Sequence, residues 1–177
     1  MSLIYLLSSL PMLGFDAAPG ISPEAFAEIC RDQLSAKDAA AVEALLRGEE
    51  ADHPFVMAWH DKNTILRNAA ARERARSAGK DASRWIRDTR GCDRQIDDAV
   101  EDAFQEPDPL QREKELDKIR WQIAEELQGP DPLDIKAVYA YAIKLAILSR
   151  WNALDKDRGQ RLFDTLTQIP ITLNFEP

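Results

Sequence analysis

The chain is poor in the residues that usually announce chemistry. It has only two cysteines, Cys30 and Cys92, in no metal-type or redox-type spacing. That excludes a disulfide framework or a zinc ribbon and predicts a reducing, cytoplasmic home. Seven glycines are scattered without forming a phosphate-binding loop; Gly79-Lys80 lacks both the preceding Gly and the following Ser or Thr. There is no Gly-x-Ser-x-Gly elbow. A nucleophile–base pair would have to use His53 or His60, the only histidines, and nothing near either points to one. Net positive charge is also missing: the balance of −8 speaks against general DNA or RNA binding. The longest apolar run, AVYAYAIKLAIL from Ala137 to Leu148, is too short for a bilayer span, which needs ~20 residues. Charged residues flank it on both sides, Asp134 and Lys136 before it and Asp155, Lys156 and Asp157 after. The apolar start, MSLIYLLSSLPML, has no basic residue before it and is interrupted by Pro11, so it does not read as a secretory leader.

What is present reads as helix. Ser22-Pro23-Glu24 combines an N-cap, a first-turn proline and a first-turn acid, opening a helix that carries Phe26, Ile29 and Cys30 inward to about Leu34. Ser35 caps the next, through Val42, Leu45 and Leu46, with Gly48 beyond its end. The longest candidate runs from Pro54 to Ala78, with an inward stripe of Val56, Trp59, Asn63, Leu66 and Ala70. On that stripe Asn63 would be a buried polar group, with Arg67 one turn later as its partner. Gly79 stops this helix, and Asp81 caps a short segment with Trp85 and Ile86. Further helices are expected over Gln95–Gln105, Leu110–Gln128 and Leu133 to Trp151 or Leu154, the last two separated by the turn Gly129-Pro130-Asp131-Pro132. The last of them, apolar nearly all round, should sit at the centre of a bundle. Leu3–Leu10 should pack on the core as a short strand or helix, Gly159–Leu166 should be amphipathic, and the tail from Pro170 should be extended. The expected fold is all-α: an elongated multi-helix bundle with a short extended or helical N-terminal segment. It forms one domain over 1–177, with two sub-bundles, about 1–106 and 107–177, as the alternative division.

Site signals are weak by comparison. Glu50-x-x-His53 has the spacing of a di-iron carboxylate motif, but it lies in a loop and has no second copy, so an exposed acidic loop is the better reading. Asp97, Asp98, Glu101 and Asp102 lie one turn apart, as Mg²⁺-binding carboxylates do; with Glu125 and Glu126 they define the enzymatic alternative, a small all-α Mg²⁺-dependent nucleotide hydrolase. A solvated acidic face gives the same pattern. Trp59, Trp85, Trp121 and Trp151 read as core or interface anchors. No cofactor or metal is expected. A basic window stands out from Arg67 to Arg94. Its nine cations against four acids give +5, leaving −8 − 5 = −13 for the rest of the chain. Arg72, Arg74, Arg76, Lys80, Arg84, Arg87, Arg90 and Arg94 form its candidate interaction face, suited to an acidic protein surface.

Three stretches carry a family resemblance. In HDKNTILRNAAARERARSAG, from His60 to Gly79, Asp61, Asn63, Leu66 and Arg67 stand where the C (or d) subunits of V-type and A-type rotary ATPases have an acid, an asparagine, a leucine and an arginine. The sequence continues Asn68-Ala69-Ala70 where that family commonly has Ala-Lys. IYLLSSLPML and AVYAYAIKLAILSRWNALDKDRGQRLFDTL resemble a bacterial family encoded beside V-type ATP synthase genes, similar to a reduced C subunit. The resemblance implies stacked helical bundles, no catalysis, and other V-type ATPase subunits as partners. It also implies a cytoplasmic position peripheral to the membrane, linking central stalk and membrane ring. A full-length C subunit is about twice this long. A stand-alone helical scaffold is the remaining alternative.

Overall fold

A computed structural model describes residues 3–89 and 91–154. Arg90, the segment Gly159–Leu166 and the tail from Pro170 lie outside the described residues. Within them the protein is an all-α bundle: α1 (Leu3–Ser9), α2 (Pro23–Gln33), α3 (Ala36–Arg47), α4 (Pro54–Ser77), α5 (Arg94–Ala103), α6 (Pro109–Gln128) and α7 (Ile135–Asn152), with a single 3₁₀ turn at Ser83–Trp85.

Local chemistry sets most boundaries. The Ser22 hydroxyl accepts from the Ala25 amide and Ser35 from the Asp38 amide, satisfying N-terminal donors that have no partner within the helix. His53, Asp93, Asp108 and Asp134 do the same for α4, α5, α6 and α7. The Asp93 and Asp134 caps move two starts from the expected residues, α5 opening at Arg94 and α7 at Ile135. Gly48 ends α3 at φ +69°, a left-handed conformation that costs glycine nothing. The N-terminal segment is helical, and Leu6 is fully buried.

α7 is the centre. It packs against α3, α6, α2 and α1, and nine of its residues are buried, among them Val138, Tyr139, Ala140, Ile143 and Leu145. Three buried alanines on this helix, Ala137, Ala140 and Ala142, let neighbours approach closely while larger side chains fill the gaps between them. α4 packs against α5, α6 and α3, so it buries more than one face. The stripe read from its sequence holds at Val56, Trp59, Leu66 and Ala70, all buried, but not at Asn63, which is half-exposed. The buried asparagine is Asn68, on the side that meets the α4–α5 connection.

Candidate interaction surface

α4 carries Arg72, Arg74 and Arg76 in its last two turns, where cations also favour the helix dipole. All three reach across to acids. Arg72 pairs with Asp97 at 2.5 Å, Arg74 with Glu113 at 2.7 Å, and Arg76 with Glu101 at 3.4 Å and Glu73 at 3.1 Å. Arg74 and Arg112 also lie over the Phe104 ring, 5.9 and 5.1 Å from its centroid. Three of the nine cations of the basic window are therefore paired with acids of α5 and α6. Arg94, on the first turn of α5, faces its own helix's Asp98 at 3.6 Å.

Arg67 stands exposed on α4, and Lys80, Arg84 and Arg87 stand on the connection from α4 to α5. A Schellman turn starts it: Gly79 at φ +62° lets the Lys80 amide donate to the Ala75 carbonyl at 2.9 Å. Asp81 accepts from the Ser83 amide at 3.1 Å and turns the chain into the 3₁₀ step. The midpoint is clasped by Asn68, only 4% exposed. Its amide nitrogen donates to the Arg87 carbonyl at 2.8 Å, and its oxygen accepts from the Arg87 amide at 2.9 Å. Asp93 pairs with Lys62 of α4 at the far end. Held this way, the segment presents Trp85 at 53% exposure and Ile86 at 37%, flanked by the exposed Lys80, Arg84 and Arg87. None of these three cations has an ion-pair partner among the described residues.

The four residues of the resemblance all lie on α4 and have different fates. Leu66 is fully buried, Asp61 half-buried, and Arg67 exposed. Asn63 does not take Arg67 as its partner; its oxygen accepts from Arg120 Nε of α6 at 3.1 Å. Arg120 in turn donates to Asp117 Oδ1 at 2.8 Å, and burial pushes its pKa down against the pull of that carboxylate. Asp117 is completely buried and accepts on Oδ2 from Trp151 Nε1 at 2.7 Å and from the Arg150 guanidinium. Helices α4, α6 and α7 are thus tied by one polar chain, Asn63–Arg120–Asp117–Arg150/Trp151. Sequence reasoning missed Asp117. Its signal was an acid between Leu116 and Ile119 on the apolar face of α6, with an arginine three residues on.

A second polar joint links α3, α4 and α7. The Tyr139 hydroxyl donates to Asp38 Oδ1 at 2.7 Å and lies 3.3 Å from His53 Nε2. His53 Nδ1 accepts from the Phe55 amide at 3.3 Å, so the proton of the neutral ring sits on Nε2. Burial and nearby Lys37 hold the His53 pKa below its usual value, against Asp38. Hydrogen bonds from Ser35 and Tyr139 depress Asp38, while burial and Asp38 push the Tyr139 phenol up. Each group is held in its resting protonation state, an arrangement that joins helices rather than moves protons.

A family model described as a protein of unknown function, DUF2764, matches residues 94–169. No curated protein matches, and no solved structure matches. The DUF2764 match takes in α5, α6 and α7, and with them Asp117, Arg120, Arg150 and Trp151. It leaves out α4 and the connection that carries Trp85.

The carboxylates of the hydrolase alternative are mostly engaged. Asp97 and Glu101 are held by α4 arginines, and Glu125 accepts from Lys144 at 2.9 Å and Trp121 Nε1 at 3.0 Å. Among the described residues, no three His, Cys, Asp or Glu side chains are placed to hold a metal ion. His53 of the Glu50-x-x-His53 motif caps α4 and faces Tyr139, while Glu50 is exposed. No helix among the described residues is long and apolar enough to cross a membrane.

Proposed function

We propose that this chain is a non-catalytic helical interaction component that docks on another protein. The observation that carries the reading is the exposed Trp85 among Lys80, Arg84 and Arg87. Arg72, Arg74 and Arg76 on neighbouring α4 are satisfied internally, whereas these cations are not matched by described side chains. Tryptophan and arginine are the residue types that dominate binding energy at protein interfaces. The resemblance of Asp61, Asn63, Leu66 and Arg67 to C-type subunits supplies the machine: a V-type rotary ATPase, with this chain peripheral to the membrane between central stalk and ring. The hydrolase alternative would need Asp97 and Glu101 released from Arg72 and Arg76, and no observation favours that.

Affinity purification of the tagged protein from its own cells in mild detergent, followed by mass spectrometry, tests the proposal. The expected result is V-type ATPase stalk or ring subunits in near-stoichiometric amounts. If the ATPase assembles in the same lysate while this protein emerges alone, the subunit reading is refuted.

A further inference from the structure

Resting on the interaction reading above, we infer that the docking element is the segment Lys80–Arg87, pre-set by Asn68, and that its partner is an acidic protein surface with an apolar socket for Trp85. Three observations converge. The segment exposes an indole and an isoleucine side by side. Its backbone is nonetheless fixed at Arg87 by the two Asn68 hydrogen bonds and at its start by the Gly79 turn. A loop ordered before binding loses less entropy when it docks, so this one is built as a binding element rather than a slack connection. Finally, its charge is opposite to that of the whole chain.

The charge selects the occupant. Residues 80–87 carry three cations and one acid, 3 − 1 = +2, so the other residues total −8 − 2 = −10. Asp81 is engaged with Ser83, which leaves the cations dominant at the tip. A broad anionic lipid surface would repel that acidic body, whereas a local acidic patch on a protein meets only the tip. The sequence beyond the described residues is nearly balanced in charge. Residues 155–177 hold four acids and three bases, 3 − 4 = −1.

The test is photo-crosslinking in the protein's own cells. A benzophenone amino acid replaces Trp85 in one full-length variant and Met12, 96% exposed, in another. The expected result is a crosslink from position 85 to a single protein at an Asp- and Glu-rich peptide. Its yield should fall about tenfold or more when Lys80, Arg84 and Arg87 are all changed to Glu. A similar fall is expected for Asn68→Ala, which keeps the charge but frees the loop. Hydrogen exchange over residues 80–88 should rise in Asn68→Ala and not in the charge-reversal variant. Circular dichroism confirms that both variants fold. Crosslinks from position 12 but not from 85 would overturn the inference and leave the interaction reading standing; crosslinks from neither would remove both. Flotation of the purified protein with phosphatidylglycerol–phosphatidylcholine vesicles, lost in the charge-reversal variant, would overturn it in favour of a lipid surface.

Discussion

Replacing Asp117 with alanine is the sharpest probe of how the bundle is tied. The carboxylate is fully buried and serves Arg120, Arg150 and Trp151 at once. Removing it leaves those donors unequally exposed. The Arg120 side chain is 18% exposed and stays trapped between α4 and α6 with Asn63 as its remaining acceptor; Arg150 is 55% exposed and regains water. Breaking a buried ion pair from one side costs about 3–5 kcal/mol. Because Arg150 rehydrates and Asn63 still accepts from Arg120, the expected loss is at the lower end, about 3 kcal/mol. For a chain of this length that is a fall in Tm of roughly 6–12 °C. Urea unfolding followed by far-UV circular dichroism should show a lower midpoint with unchanged slope. Arg150→Ala should cost no more than about 1 kcal/mol, because that pair is largely solvated. Asp117→Leu combined with Arg120→Met should recover much of the loss, since no buried charge is then left alone and Arg150 is largely in water. An Asp117→Ala midpoint within about 0.5 kcal/mol of the parent would refute the reasoning, as would a larger effect from Arg150→Ala.

Tyr139→Phe removes the hydrogen bond to Asp38 without leaving a cavity and should cost about 1 kcal/mol in the same urea assay. The folded chain depresses the His53 pKa, so the unfolded chain protonates first as pH falls; this contribution is complete above the ordinary value of 6.5 and is lost as pH drops through the folded value. Asp38, also depressed, contributes above its ordinary 3.8 and is lost only below it. Tm between about pH 7 and pH 5 should therefore fall, and His53→Asn, which keeps an N-cap side chain, should flatten that limb. Burial raises the Cys30 thiol to about 12, whereas Cys92 is exposed. A thiol reagent at neutral pH should label Cys92 alone in the folded protein and both after urea; immediate labelling of Cys30 would mean that the α2–α7 core opens readily.

The helices were largely legible because their signals are local. Ser22-Pro23, Ser35, Gly48 and Gly129-Pro130 act within one turn of themselves, and the apolar circumference of α7 needs only its own residues to identify it as central. The candidate surface was legible as charge and not as geometry. Nothing within the 67–94 window indicates that Arg72, Arg74 and Arg76 would face Asp97, Glu113 and Glu101, because those partners stand 25–39 residues away along the chain. Trp85 read equally well as a core or an interface residue.

The two asparagines of α4 show where the division falls. A helix stripe can be read from spacing, but which stripe is buried depends on where the neighbouring helices lie. Asn63 and Asn68 are five residues apart, about 140° around the helix. With α5, α6 and α3 all packed on α4, the side of Asn68 is enclosed by the Arg87 connection, while Asn63 stays at the rim and takes Arg120 as its partner. The sequence by itself determined the helices, their caps and the central place of α7, since each follows from interactions within a few turns. The burial of Asp117, the clasp at Asn68 and the lack of an ion-pair partner for Lys80, Arg84 and Arg87 among the described residues were decided only by tertiary structure. Each depends on side chains brought together from helices distant in sequence, and charge count or periodicity carries no record of that meeting.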